Sequence, residues 1–75
     1  MMESPHHVDI HVGRKLWQRR EDYNISQFAL GTAIGVTYQQ IQKYEKAHDQ
    51  ISASRLYMIA KPLGVEVSYF FDGLP

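Results

Sequence analysis

The chain contains no cysteine, no apolar run long enough to cross a bilayer and no excess of either charge sign. Without cysteine there is neither a disulfide framework nor a thiolate metal site, so stability rests on packing alone. No stretch approaches the about 18 apolar residues of a membrane span. The start, MMESPHHVDIHV, lacks the charged-then-apolar order of a secretory leader, so the expectation is a cytoplasmic protein with no membrane partner. Eight basic side chains balance eight acidic ones, which argues against a strong, indiscriminate binder of polyanions. No nucleophile stands with a base, and no carboxylate pair or phosphate-cradling loop is present, so an enzyme is not expected. His6, His7 and His11 have no cysteine or carboxylate cluster at ligand spacing beside them, so neither a metal nor another cofactor is expected.

What remains is a chain of 75 residues, enough for one domain with a small core. Residues 1–8 are polar, contain Pro5 and show no period, which predicts a flexible tail ahead of a domain over residues 9–75. From Asp9, an expected N-cap, Val12, Leu16 and Tyr23 follow one helical stripe, with Arg20 on it. Asn24 tolerates the left-handed turn that ends such a helix. Ser26 caps a second helix with Leu30, Ala33 and Ile34 inward, and Gly35 stops it. Thr37 caps a third helix, with Gln40 completing a capping box and the end near Lys46. After the loop AHDQI, Ser52 opens a fourth helix whose Leu56, Ile59, Ala60 and Leu63 face the core. Pro62 is predicted to fray or kink its last turn, and Gly64 closes it. Val67, Phe70 and Phe71 suit a short fifth helix. The fold class is therefore all-α, with five helices, no strands and no repeats.

Residues 26–46 form the informative unit: two short helices joined by a tight turn. Helices this short are not stable alone and must pack closely. Gly31 is placed where they approach, at a cost of about 1 kcal/mol relative to alanine, which suggests steric need. Leu30, Ile34, Val36, Ile41 and Tyr44 supply the buried side. At about 100° per residue, Tyr38, Gln39, Gln42, Lys43 and Lys46 share the outward face of the third helix. Glutamine offers donor and acceptor together to adenine, and lysine donates to guanine or to phosphate. Gln39 and Lys43 lead as base readers and Gln42 follows. Tyr38 meets a thymine methyl or the backbone, and Gln40 at the flank serves the cap. Arg20, on an inward stripe, calls for a partner, and Glu45 is the obvious one.

The motifs VGRKLWQRR, ISQ, IGVT, QKYEK and SASRLYMIAKPLGVEVSYFF together resemble the Cro and phage-repressor class of helix-turn-helix proteins, over about residues 12–71. The resemblance implies a compact, lambda-repressor-like domain and a sequence-specific transcriptional regulator, in particular a repressor. Its recognition helix, residues 37–46, would enter the major groove of double-stranded DNA. It implies that Gln27 grips a phosphate and braces that helix, and that Thr37, Tyr38, Gln39, Gln42, Lys43 and Lys46 complete the DNA-facing set. Arg20 and Glu45 become a structural ion pair. A homodimer on a pseudo-palindrome follows, with recognition helices about one DNA turn apart. The C-terminal cluster Tyr69, Phe70, Phe71 and Leu74 is a candidate dimer contact, with at least one phenylalanine assigned to the core. The chain departs from the class after the third helix, where Ala47 and Gln50 replace a glycine and a basic residue, with Asp49 between. Fewer cations there predict weaker nonspecific binding and a flatter salt dependence. The competing expectation, favoured by neutral charge and the acidic loop, is a protein-interaction module of the same fold, such as an antitoxin-like partner binder.

Overall fold

The computed structural model describes residues 6–75. Four α-helices follow in order, α1 (His7–Asp22), α2 (Gln27–Ile34), α3 (Tyr38–Glu45) and α4 (Ala53–Leu63), and the described residues contain no strand. The expected fifth helix is instead a 3-10 segment, Val67–Phe71. Five residues suit the tighter i→i+3 pattern, which rarely runs longer. Its N-terminal end is closed by the Tyr69 amide donating to the Glu66 carbonyl at 3.0 Å.

Helix α1 begins earlier than Asp9. His6 is the N-cap, its Nδ1 accepting from the Val8 amide at 3.1 Å. His7 and Val8 therefore belong to the domain, while residues 1–5 of the expected tail lie outside the described residues. Asp9 sits in the first turn, where a carboxylate favours the helix N-terminus. At the other end Asn24 takes a φ of 55°. Because α1 stops at Asp22, Tyr23 leaves the inward stripe: it is exposed, with the Arg19 guanidinium 3.8 Å above its ring.

The remaining boundaries follow local chemistry. The hydroxyls of Ser26, Thr37 and Ser52 accept from the amides of Ala29, Gln40 and Arg55, satisfying donors that each helix start would otherwise leave open. Gly35 and Gly64 end α2 and α4 in the left-handed conformation. Helix α4 continues through Pro62 to Leu63. On α2 the buried residues are Leu30, Gly31 and Ile34, and Ala33 is exposed rather than inward. Gly31 belongs to the buried face and moves its centre away from Ala33.

Two close approaches fix α2 against the turn that leads into α3 and α1 against the end of α3. A Cβ at Gly31 would lie 2.6 Å from the Val36 carbonyl oxygen, and one at Gly13 would lie 2.6 Å from that of Glu45. Only glycine permits either approach. Leu16, Leu30, Ile41, Ile59 and Phe70 form the fully buried centre. Two arginines tie helix ends to it: Arg19 Nε donates to the Leu63 carbonyl at 2.9 Å, and Arg55 Nη1 donates to the Ile34 carbonyl at 3.2 Å. Cations at the C-termini of α4 and α2 also suit the helix dipoles there.

Candidate nucleic-acid interface

Helix α3 is held by Ile41, fully buried, and Tyr44. Tyr38, Gln39, Gln42, Lys43 and the C-cap Lys46 all stand exposed on its other side. The same helix therefore has one face committed to the core and one made of amide, phenol and ammonium groups. Gln40 is half-buried at the boundary, and its Nε2 donates to Asp49 Oδ2 at 3.0 Å. The expected capping box is thus half made, since the Thr37 hydroxyl caps Gln40 while the Gln40 side chain turns to the following loop. Thr37 itself is exposed.

The position of α3 is secured by a buried charge cluster. Arg20 Nε donates to Glu45 Oε2 at 2.6 Å, Arg20 Nη2 to Glu45 Oε1 at 3.0 Å, and Gln27 Nε2 to the same Oε1 at 3.0 Å. Arg20 Nη1 reaches the Ile25 carbonyl at 3.0 Å. The Arg20 and Glu45 side chains are only 8% and 5% exposed, so the pair is charge-assisted and shielded from water. The hydrogen bond to Glu45 raises Arg20 further above its ordinary value, against the opposing effect of burial. Three helices meet in this cluster: Arg20 from α1, Gln27 from the first position of α2 and Glu45 from the end of α3.

The loop behind α3 starts with a strained residue. Ala47 is buried and adopts a φ of 57°, and the His48 amide donates to the Lys43 carbonyl at 2.9 Å across it. This is the hydrogen-bond pattern of a glycine C-cap built on alanine. Gln50 Nε2, on the loop's one amide side chain, donates to Asp9 Oδ2 at 3.3 Å.

The C-terminal cluster divides. Phe70 is fully buried and so cannot meet a partner surface, a correction to its inclusion as a dimer contact. Tyr69 is half-buried, its hydroxyl donating to the Lys15 carbonyl at 3.3 Å while Lys15 Nζ lies 4.1 Å from its ring centroid. Leu74 is half-buried and Phe71 is exposed. Two residues near α3 escape a reading of the third helix alone. Arg14 and Trp17 line a cleft between α1 and the end of α3, with Gln42 and Lys46 on its far side. Their spacing of three along one helix was the available signal, since such residues share a face. Among the described residues no cluster of three metal-ligating side chains occurs, and no helix is long and apolar enough to cross a membrane.

Residues 18–70 match a family model described as helix-turn-helix. The HTH-type transcriptional regulator y4wC of Sinorhizobium fredii is 57% identical over 68 residues, covering 91% of this chain and 48% of that protein. A transcriptional regulator in the ATPase CF(0) region of Rhodospirillum rubrum is 55% identical over 69 residues, covering 92% of this chain and 64% of its own. The chain spans about half the length of the first of these and under two thirds of the second. Among solved structures, the P22 c2 repressor in complex with a synthetic operator superimposes with a TM-score of 0.75 at 27% identity, covering 83% of this chain and 94% of that one.

Proposed function

Because the chain belongs to the Cro/C1-type helix-turn-helix family of transcriptional regulators, we propose that it binds double-stranded DNA in a sequence-specific way and acts as a repressor. The observation behind this reading is the division of α3: Ile41 and Tyr44 anchor it while Tyr38, Gln39, Gln42, Lys43 and Lys46 remain exposed. Glutamine and lysine match adenine and guanine edges in a major groove. Gln39 and Lys43 read bases, Gln42 assists, and Tyr38 packs on a thymine methyl or the backbone. Thr37 and Lys46 flank the helix and contact phosphate. Gln27, braced by Glu45, contacts phosphate at the start of α2. The repressor reading is supported by the likeness to a phage repressor solved on an operator. The protein works in the cytoplasm as a homodimer on a pseudo-palindrome, because one subunit offers few base contacts.

Selection of bound duplexes from a random pool tests this. Enrichment of one motif with two half-sites about 34 Å apart is expected. No enrichment, or the same enrichment with Gln39→Ala and Lys43→Ala together, would overturn it. A second reading, a partner-binding module of the same fold, is favoured by the exposed Phe28 and Tyr57, 69% and 62% accessible. It requires Phe28→Ser or Tyr57→Ser, rather than changes on α3, to abolish function.

A further inference from the structure

We propose that α1 holds a second DNA-backbone site: the cleft formed by Arg14, Trp17 and Lys46 seats one phosphate and its adjoining deoxyribose. The inference rests on the duplex-binding reading above and locates where the phosphate grip missing from the loop after α3 is made.

Of the eight cations four are engaged within the fold, Lys43 lies on the exposed face of α3, Lys61 is exposed on α4, and Arg14 and Lys46 meet in the cleft. Arg19 is spent on the Leu63 carbonyl, Arg55 on the Ile34 carbonyl, Arg20 on Glu45 and Lys15 on the Tyr69 ring. Neither Arg14 nor Lys46 has a carboxylate within ion-pair distance among the described residues. Both line the same cleft, one from α1 and one from the end of α3. The carboxylate in that cleft, Glu45, is already neutralised by Arg20, so the two free cations set the local charge. Trp17 lies with them and is 47% exposed, an apolar plane with one N–H donor at its edge. Two cations beside one apolar plane match the repeat of a nucleic-acid backbone, an anion followed by an apolar sugar. The cleft also reaches Gln42 on the exposed face of α3, so a duplex read by that face passes its backbone beside it. Residues 47–50, Ala-His-Asp-Gln, contain no lysine or arginine and one carboxylate, so they bring no permanent cation to a phosphate.

Trp17 is the single tryptophan and reports on the cleft alone. On titration with a selected duplex, its emission is expected to change in step with the anisotropy of the labelled DNA. Inorganic phosphate at equal phosphate concentration is expected to leave it unchanged. The slope of log affinity against log salt is expected to fall by about 0.9 for Arg14→Ala and for Lys46→Ala, and by about 1.8 for the double variant. Arg14→Lys should keep the wild-type slope, and Trp17→Ala should weaken binding several-fold with the slope intact. Arg14 is exposed, so matched thermal melts separate these effects from misfolding. Duplex binding with constant Trp17 emission and an unchanged slope for Arg14→Ala overturns the cleft while leaving the α3 reading, which itself places Lys46 on phosphate, in place. A full emission response to inorganic phosphate alone overturns it too. Absence of any duplex binding removes both.

Discussion

Arg20 and Glu45, 25 positions apart in sequence, face each other through two hydrogen bonds of 2.6 and 3.0 Å and are nearly closed to solvent. This pair, with Gln27 on the second lobe of its charge, sets the angle at which α3 leaves the core. Removing Glu45 leaves the buried Arg20 with only the half-exposed Glu21 carboxylate, 3.4 Å away. Glu45→Ala is expected to destabilise the domain by about 3–5 kcal/mol in urea titrations. Arg20→Met with Glu45→Leu should recover most of that loss, since a well-packed apolar pair needs no partner for a charge. A loss under about 1 kcal/mol for the single variant would contradict the burial described above.

Gly13 provides a second test of how α1 meets α3. Alanine there gains about 1 kcal/mol in helix propensity. Its Cβ, however, would sit 2.6 and 2.7 Å from the Glu45 and Tyr44 carbonyl oxygens, both backbone atoms that cannot swing away. The net expectation is a loss of about 1–3 kcal/mol in thermal melts, against the usual stabilising direction of this substitution.

Ala47 is expected to respond in the opposite way. A left-handed conformation costs a residue with a Cβ about 1–2 kcal/mol, and Ala47 holds a φ of 57°. Ala47→Gly relieves this, partly offset by the larger freedom of glycine in the unfolded chain. A rise in Tm of about 4 °C is expected, corresponding to somewhat under 1 kcal/mol in a domain of this size. A lower Tm would show that the loop needs the alanine methyl more than the relaxed backbone.

Alkaline stability should depend on Tyr69. Burial raises its phenol above the usual value of 10.0, with Arg19 pulling the other way. A raised value in the folded state means that the contribution is complete below the unfolded value, about 10, and is lost as pH climbs through the folded one. At neutral pH Tyr69→Phe should melt lower than wild type, because the hydrogen bond to the Lys15 carbonyl is gone. Toward pH about 11 the gap should close, since only wild type has a phenolate to bury. Melting curves of both proteins across that range check the sign.

Features governed by neighbours in sequence were legible beforehand. Ser26, Thr37 and Ser52 cap helices because a short hydroxyl reaches an amide three residues on, and Gly35 and Gly64 stop them because a left-handed turn suits glycine. Arg20 announced a partner because a charge on an inward stripe is costly alone. Features governed by the assembled core were not legible. Nothing local distinguishes His6 as a cap better than Asp9, or marks that Gly31 rather than Ala33 completes the buried side of α2. The hydrogen bonds of Arg19 to Leu63 and Arg55 to Ile34 join distant segments, so the side chains left free to meet a ligand could be counted only after the fold was known. The same holds for Trp17, whose neighbours Gln42 and Lys46 come from α3.

The central claim, that the exposed face of α3 reads base edges, is tested most directly by the ratio of affinities for a selected duplex and a scrambled one, measured at one salt concentration for wild type and Gln39→Ala. For wild type the ratio is expected to exceed about 10³. Loss of the glutamine should cut it by at least about tenfold while leaving affinity for the scrambled duplex unchanged, because only the base contact is removed. A wild-type ratio near one, or equal ratios for the two proteins, would contradict the account.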